Sequence, residues 1–299
     1  MPTLRDIKRR MTAVASTAKI TSAMKMISAV QLRRAQEAIL SARPYIEKLG
    51  SVMSNLIQNV GDDYSHPLTR KPKEVMNITI ALIASDRGLC GSFNTNLLRI
   101  LTRFVKEELP AKYPNANINF VAVGKRSAQF LKREESDVIS EHIGIFSKLK
   151  FADAKDIISN ISEGFQNGSI DLVYIAFNHF KNLVSQIPTI SQLLPIVPQA
   201  ANEKQKQSGS YQVDYIFEPD MVSILDDLLP KHIDIQLWKT LLESNAAEQA
   251  ARMMAMENAT KNANDLIKSL ELAYNKARQA AITKEMLEIV GGAEALKKV

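Results

Sequence analysis

Residues 231–290 read KHIDIQLWKTLLESNAAEQAARMMAMENATKNANDLIKSLELAYNKARQAAITKEMLEIV and contain neither glycine nor proline. A mean globular helix has about 11–12 residues, and a pattern longer than about 25 is typical of a coiled coil, a membrane span or a helical repeat. At about 1.5 Å per residue, one helix over this stretch would reach roughly 90 Å. Residues 3–43 also lack glycine and proline, which predicts a second long helix at the other end of the chain.

The apolar residues of both stretches follow the alternating spacing of a coiled coil. The N-terminal seam is predicted at Leu4, Ile7, Met11, Val14 and Ala18, shifting afterwards towards Ile20, Met24, Ile27 and Val30. The C-terminal seam is predicted at Ala246, Gln249, Met253, Met256, Thr260, Ala263, Ile267, Leu270, Tyr274, Ala277, Ala281 and Lys284. Because many of these side chains are small, the core of an ordinary helical bundle remains an alternative. The positions at opposite ends of the chain favour an antiparallel, left-handed pair.

Between the two stretches the pattern changes to short apolar runs that alternate with helical segments. Strands are predicted at 78–84, 120–123, 138–142, 172–177 and 211–217, with an edge segment at 184–196. Helices are predicted at 94–108, 125–132 and 152–165. This alternation is typical of βαβ units and a largely parallel sheet.

The sequence therefore predicts an α/β fold with two parts. One is a long antiparallel coiled coil of the N- and C-terminal helices, and the other is a central Rossmann-like α/β domain with a mainly parallel sheet. The predicted segments are the N-terminal helix at 1–58, the α/β domain at 75–218 and the C-terminal helix at 219–299. A mobile loop is predicted at about 199–210, where the sequence is polar.

The motifs of catalysis and cofactor binding are scarce. Gly88 and Gly91 lie in a strand–turn–helix segment where a nucleotide-binding loop would sit, but neither glycine-rich phosphate motif occurs in the chain. A tight turn is the favoured interpretation of these glycines, with nucleotide binding as the alternative. The four histidines lack metal-ligand spacing, and the single cysteine, Cys90, is expected to be a buried apolar residue. We expect no catalytic residue, no metal site and no cofactor.

The positive charge of the chain lies near its start. Residues 1–40 contain eight basic and two acidic side chains, so they account for the whole net charge of +6. This pattern fits a solvated helix face, a helix that meets an acidic protein surface, or a nucleic-acid-binding arm. Aromatic residues are absent before Tyr45, which disfavours nucleic acid, although a coiled-coil nucleic-acid-binding protein remains the alternative function.

Five segments resemble the gamma subunit of F-type ATP synthase. They are KITSAMKM (19–26), SDRGLCG (85–91), PTISQLLP (188–195), EQAARMMAM (248–256) and YNKARQAAIT (274–283), and the last continues into EIVGGA (288–293). The resemblance covers essentially the whole chain in the same order.

The resemblance implies a non-catalytic rotor shaft in a proton-translocating ATP synthase. In this family the paired terminal helices turn inside a ring of three alpha and three beta subunits. The α/β domain lies at the base, where it meets the epsilon subunit and the membrane rotor ring of c subunits. Nucleic-acid binding and direct membrane insertion are not expected of such a subunit.

The resemblance also implies contact residues, position by position. Met24 and Arg252 match a first contact level with the beta subunit, where Lys25 beside Met24 is also an expected contact, and Arg278, Gln279 and Thr283 match a higher level. Phe217 and Glu218 match the foot that meets the rotor ring. Ser22 and Lys25 flank Met24 where relatives often carry Lys and Glu, so the local charge pattern differs.

Two absences bear on the expected location. The loop 199–210 has no cysteine, so the disulfide switch of the chloroplast relatives has no residues here. No transit peptide precedes the matched start, which favours a bacterial chain at the cytoplasmic face of the inner membrane. A processed mitochondrial protein is the alternative.

Overall fold

The computed structural model of the chain describes residues 3–60, 66–70, 72, 74–196, 218 and 220–296. The predicted loop at 199–210 and the predicted strand at 211–217 lie outside these residues. The chain forms two compact units, one of residues 1–29 with 252–299 and one of residues 30–251. The three-segment division made from the sequence stays a prediction.

The second unit contains an α/β domain together with parts of two long helices. The long helices are α1 (Leu4–Val60) and α6 (Met221–Leu296). The strands are β1 (Asn77–Ile83), β2 (Asn117–Val123), β3 (Val138–His142), β4 (Leu172–Phe180) and β5 (Gln186–Leu194). The shorter helices are α2 (Phe93–Arg103), α3 (Leu109–Lys112), α4 (Lys125–Arg133) and α5 (Phe151–Gln166), with a π-helical turn at Phe104–Glu108 and 3₁₀ turns at Pro67–Thr69 and Ile145–Ser147. Pro44 and Pro230 lie inside α1 and α6.

The five described strands form one sheet in the order β3-β2-β1-β4-β5. The pairs between β1, β2, β3 and β4 are parallel, whereas β5 runs antiparallel to β4 at the edge. Parallel strands are covered on both faces, which explains why β1 is almost a continuous apolar run with six of its seven residues buried. The predicted α/β class with a mainly parallel sheet is confirmed.

Each face of the sheet packs against its own helices. Leu97 and Leu101 of α2 and Leu131 of α4 cover one face. The other face packs against α5 and against the parts of α1 and α6 that belong to this unit, for example through Leu49 and Leu229. The two long helices therefore provide a layer of the α/β core in addition to the coiled coil.

One buried hydroxyl in β1 has no hydrogen-bond partner among the described residues. Thr79 is fully buried, and its Oγ1 is unpaired. We expect Thr79→Val to raise the free energy of unfolding by about 1 kcal/mol, because an isosteric methyl group removes an unsatisfied polar atom. Urea unfolding followed by the fluorescence of Trp238, the single tryptophan of the sequence, measures the change.

Thr240→Val is the matched control for this substitution. Thr240 is also buried, but its Oγ1 donates to the backbone oxygen of Gln236 at 2.8 Å. The same change at Thr240 should give no gain in stability. Equal effects at the two positions would contradict the assignment of Thr79 as an unsatisfied group.

The first unit is an antiparallel pair formed by the start of α1 and the later part of α6. Two contacts fix its register: Thr21 Oγ1 lies 2.7 Å from Thr260 Oγ1, and Lys25 Nζ lies 2.9 Å from Glu257 Oε1. In α6 the predicted seam is confirmed, because every predicted position from Met253 to Ala281 is buried or half-buried. The seam ends there, since Lys284 is exposed.

The predicted shift of the α1 seam after Ala18 is wrong at Ile20, Ile27 and Val30, although Met24 is half-buried. The buried line keeps its spacing through Thr21 and Ser28, whereas Ile20 and Ile27 are 60% and 61% exposed and Val30 is 54% exposed. The two polar residues are tolerated in the pair because the hydroxyl of Thr21 finds partners and the side chain of Ser28 is small. In addition to Thr260, Thr21 Oγ1 lies 3.1 Å from the backbone oxygen of Ala18. An apolar strip of α1 is therefore left on the outside of the pair.

Candidate functional site

The turn after β1 is closed by its own side chains. Asn94 Oδ1 accepts hydrogen bonds from the backbone nitrogen and the hydroxyl of Ser85, and Asn94 Nδ2 lies 3.2 Å from Cys90 Sγ. Gly91 has a φ of 60°, which a glycine adopts without strain. Cys90 is buried, as predicted. These contacts fit the interpretation of the segment as a tight turn.

Asp86 joins three segments at the carboxyl ends of the parallel strands. Its carboxylate accepts hydrogen bonds from the backbone nitrogens of Lys125 at 3.0 Å, Gly144 at 2.8 Å and Phe146 at 3.3 Å. The first is at the start of α4, and the other two are in the connection that follows β3. One carboxylate thus holds the turns after β1, β2 and β3 together.

We expect Asp86→Ala to lower the free energy of unfolding by about 2–3 kcal/mol, since three backbone donors lose a charged acceptor. Asp156→Ala is the matched control, because the Asp156 side chain is 76% exposed and contacts only His142 Nδ1, at 3.5 Å, in the contacts described. Its loss should cost no more than about 0.5 kcal/mol. Urea unfolding of the two variants compares them.

Helix α6 packs against the turn that follows β1, close to the point where the strand order of the sheet reverses. The chain adds β2 and then β3 on one side of β1, and it returns to add β4 on the other side. The direction in which strands are added therefore reverses between β1 and β4. In open α/β sheets, ligands bind outside the carboxyl ends of the strands at this point. Here Cys90 and Phe93 form a buried cluster with Ala247 and Ala251 of α6. The helix therefore covers one side of this turn, while a cavity of about 350 Å³ lined by Gly88, Gly91 and Arg126 lies at the same turn.

The first group of predicted contact residues lies in the helical pair. Met24 is half-buried, and Lys25 forms its ion pair with Glu257 across the two helices. Arg252 lies on α6, five residues before Glu257, and is only 8% exposed. A contact between Arg252 and another chain would therefore require part of its side chain to move.

The remaining predicted residues are exposed or lie outside the described residues. Arg278, Gln279 and Thr283 are exposed near the end of the α6 seam, where Thr283 Oγ1 donates to the backbone oxygen of Gln279 at 3.0 Å. Glu218 is exposed just before α6 begins, and Phe217 lies outside the described residues.

The last part of α6 is an exposed helix with apolar side chains. By the register of the pair, Leu4 of α1 lies opposite about residue 277, so α6 continues past the start of α1. All residues from 282 to 291 are exposed. Five of them are large and apolar: Ile282, Met286, Leu287, Ile289 and Val290. The only sign of this exposed apolar segment in the sequence is that the heptad pattern ends before it.

An apolar groove in the second unit was not predicted from the sequence. It has a volume of about 470 Å³, and Tyr45, Phe151 and Trp238 contribute its aromatic surface. Phe151 and Trp238 pack edge to face with ring centroids 5.9 Å apart. Burial raises the pKa of Asp234 in this groove, and the charge of Lys155 opposes the shift. The aromatic residues come from three distant segments, so no local pattern could reveal the groove.

Membrane spans and metal clusters are both absent from the described residues. No helix in the described ranges carries an apolar stretch long enough to cross a bilayer. In the same residues, no three side chains of His, Cys, Asp or Glu are grouped so that they could hold a metal ion. Burial lowers the pKa of His232.

The chain is similar to known proteins along its whole length. The family described as ATP synthase matches residues 3–296. The ATP synthase gamma chain of Chlorobium phaeobacteroides is 44% identical, with 99% of this chain and 100% of the relative aligned. The gamma chain of Chlorobaculum tepidum is 42% identical, with both chains fully covered.

Solved structures share the fold. The rotor of the Euglena gracilis mitochondrial ATP synthase aligns with a TM-score of 0.64 at 20% identity, covering 93% of this chain and 98% of that chain. The central stalk and c-ring structure from Tetrahymena thermophila contains a chain with a TM-score of 0.57 at 25% identity, covering 80% of this chain and 99% of that one.

Proposed function

Since this chain belongs to the family of ATP synthase gamma chains, we propose that it is the central rotor shaft of an F-type ATP synthase. It couples proton flow through the membrane rotor to ATP synthesis and hydrolysis. Its partners are three alpha and three beta subunits around one copy of the chain, the epsilon subunit, and the ring of c subunits. The interpretation as a nucleic-acid-binding protein is not supported.

We propose further that the chain is a non-catalytic component of this complex. The α/β domain has the topology that binds nucleotides in other proteins, but the chain contains neither glycine-rich phosphate motif. ATP chemistry then belongs to the surrounding subunits. The contribution of this chain is mechanical: it carries torque and imposes asymmetry on them.

The exposed end of α6 is the observation that carries the proposal. Residues 282–291 extend beyond the helical pair and expose five large apolar side chains, from Ile282 to Val290. Apolar surface of this kind on a single helix marks a binding site for another protein. A sleeve of subunits that encloses the helix end covers this surface, and its apolar contacts are non-directional, so they permit rotation.

Rotation drives the surrounding sites only if the shaft binds one conformation of a partner more tightly than another. Charge-assisted hydrogen bonds can provide this difference while remaining breakable. The basic start of α1, which carries Arg5, Lys8, Arg9 and Arg10, is suited to an acidic loop of the beta subunit.

The proposed contact residues form three groups: a lower and an upper level of contact with the beta subunit along the coiled coil, and the foot that meets the c-ring. Lys25 and Met24 form the lower level with the beta subunit, and Arg252 joins them if its buried side chain is released. The upper level consists of Arg278, Gln279 and Thr283, all exposed. Phe217 and Glu218 are proposed to meet the c-ring.

We place the complex at the cytoplasmic face of a bacterial inner membrane, with this chain as a peripheral subunit. The two gamma chains compared above are bacterial proteins of the same length class, each aligned over its full length. Fractionation of the source cells tests this placement: the chain should sediment with the inner membrane and be released at low ionic strength together with the alpha and beta subunits.

Native mass spectrometry of the chain purified from its own cells tests the function itself. The expected particle contains one copy of this chain with three alpha and three beta subunits, and it hydrolyses ATP. A homo-oligomer without these partners would exclude the shaft and would require the basic α1 to be examined for nucleic-acid binding. The salt dependence of DNA affinity would then be the next measurement.

A further inference from the structure

The apolar groove of the second unit lies between three helices, and the proposed shaft function does not use it. Tyr45 comes from α1, Phe151 from the start of α5 and Trp238 from α6. All three rings are accessible, since Tyr45 is 58% exposed, Phe151 is 38% exposed and Trp238 is half-buried. A cavity of about 470 Å³ with aromatic walls has the size of sites that bind small organic molecules.

The lining of the groove provides apolar surface for the body of a ligand. The rings of Phe151 and Trp238 stand at 89° to each other, which fixes the orientation of both walls. Ile46 of α1 and Ile235 of α6 add aliphatic surface to the same lining. Apolar area that a ligand buries here is favourable by about 25 cal/mol for each Å².

The charged side chains that line the groove leave it positive. Lys155 and Lys231 are exposed, and Nζ of Lys155 lies 5.7 Å from the centroid of the Phe151 ring. Asp234 is half-buried and supplies at most one negative charge. Two ammonium groups against at most one carboxylate therefore give these lining residues a net charge of at least +1 at neutral pH. A positive rim of this kind attracts anions and repels cations.

We propose that this groove binds a small organic anion with an apolar body, of the class of aromatic carboxylates. The apolar body lies against Phe151 and Trp238, and the carboxylate lies at the rim near Lys231 and Lys155. Charge selects this occupant, because an organic cation would meet two ammonium groups and a neutral molecule would gain nothing from them. The proposal does not depend on the shaft function, since all the residues involved belong to the second unit.

Trp238 makes the test local, because it is the single tryptophan of the sequence. The full chain is labelled with 5-fluorotryptophan, so that it gives one fluorine resonance, and a ligand that enters the groove shifts this resonance. The probes are naphthalene-1-acetate, its neutral amide and naphthalene-1-methylammonium, which share an apolar body and differ in charge. We expect a saturable shift with the acetate, about threefold tighter binding of the acetate than of the amide, and the weakest binding for the cation. Threefold is the scale of one exposed ion pair.

Three variants assign the parts of the groove. Lys231→Met should weaken binding of the acetate about threefold and leave the amide unchanged, because it removes the charge and keeps the length of the side chain. Lys239→Met is the matched control and should change neither affinity, since Lys239 is an exposed lysine of the same helix that does not line the groove. Phe151→Ala should weaken the acetate and the amide alike, by about fivefold, because it removes an aromatic wall.

Several results would overturn the proposal. They are the absence of a saturable shift at millimolar acetate, binding of the amide or the cation as tight as that of the acetate, and equal losses in Lys231→Met and Lys239→Met. The titration is then repeated on the labelled chain after assembly with unlabelled alpha, beta and epsilon subunits. A shift that survives assembly supports the ligand site, whereas its loss would identify the groove as a protein interface and overturn the proposal. If no complex assembles, the shaft function fails, and the titration of the full chain still decides the ligand site.

Discussion

The double substitution Gln279→Leu with Thr283→Val is expected to reduce proton-driven ATP synthesis about tenfold, because it removes polar contacts that hold about 1.4 kcal/mol or more of differential binding. Both side chains are exposed on α6, so the free energy of unfolding should stay within about 0.5 kcal/mol of the native value. Thr283 keeps its shape as valine and loses only the hydroxyl that lies 3.0 Å from the backbone oxygen of Gln279.

The matched control lies about two heptads earlier on the same helix. Asn264→Leu with Ser269→Ala also replaces an exposed polar side chain and a hydroxyl that donates to its own helix, in this case to Leu266 at 2.8 Å. Its ATP synthesis should stay within about twofold of the native rate, since surface substitutions away from a contact have small effects. Synthesis rates in inverted vesicles at a fixed proton-motive force compare the two. Native synthesis in the first variant would remove Gln279 and Thr283 from the proposed contacts.

Gly124→Ala is expected to lower the free energy of unfolding by about 4 kcal/mol, through backbone strain and overpacking together. Gly124 has a φ of +94°, and a Cβ there would lie 2.1 Å from the backbone oxygen of Ala84. That oxygen belongs to the segment following β1, so neither atom can move without disturbing the sheet. The loss is a large part of the stability of an ordinary domain, which is about 5–15 kcal/mol.

Two other glycines separate the causes of this effect. Gly144 has a φ of +85°, but no atom lies within 4 Å of the position that an alanine methyl group would take, so Gly144→Ala measures the backbone strain alone, about 1–2 kcal/mol. Gly50 lies in α1 with open space around it, and Gly50→Ala should stabilise the chain by about 0.5–1 kcal/mol. Urea unfolding of the three variants should therefore give two losses of different size and one gain. Similar losses at Gly124 and Gly144 would show that the close approach to Ala84 is unimportant.

The sequence predicts most of the fold because the spacing of its apolar residues is regular in the long C-terminal helix and in the central strands. The α6 seam from Met253 to Ala281 keeps its alternating spacing of three and four residues, and the central strands β1, β2 and β4 each contain a compact apolar run. The α1 seam could not be predicted past Ala18, since Ile20 and Ile27 are more hydrophobic than Thr21 and Ser28. Which polar side chains can be buried depends on the partners they find across the pair, and these come from a helix more than two hundred residues away.

The candidate site is less accessible to sequence reasoning for the same reason. The role of Asp86 depends on backbone groups 39 to 60 residues away, and the contact of Glu243 with His179 depends on a strand end 64 residues away. Among the contact residues that the family resemblance implies, Arg278, Gln279, Thr283 and Glu218 are exposed, whereas Met24 and Lys25 are half-buried. Arg252 is buried, and only the packing of the described chain reveals its burial.

The threonine pair in the coil has too few protons for its hydrogen bonds. Thr21 can donate to Ala18 and Thr260 can donate to the backbone oxygen of Met256 at 2.8 Å, while the contact between the two hydroxyls needs a donor as well. Two hydroxyl protons cannot serve three bonds at once. Two proton arrangements keep the helices linked: either Thr21 donates to Thr260 and Thr260 donates to Met256, or Thr260 donates to Thr21 and Thr21 donates to Ala18. In either arrangement both hydroxyl groups are hydrogen-bonded, so the buried polar contact between the helices leaves no hydroxyl unsatisfied.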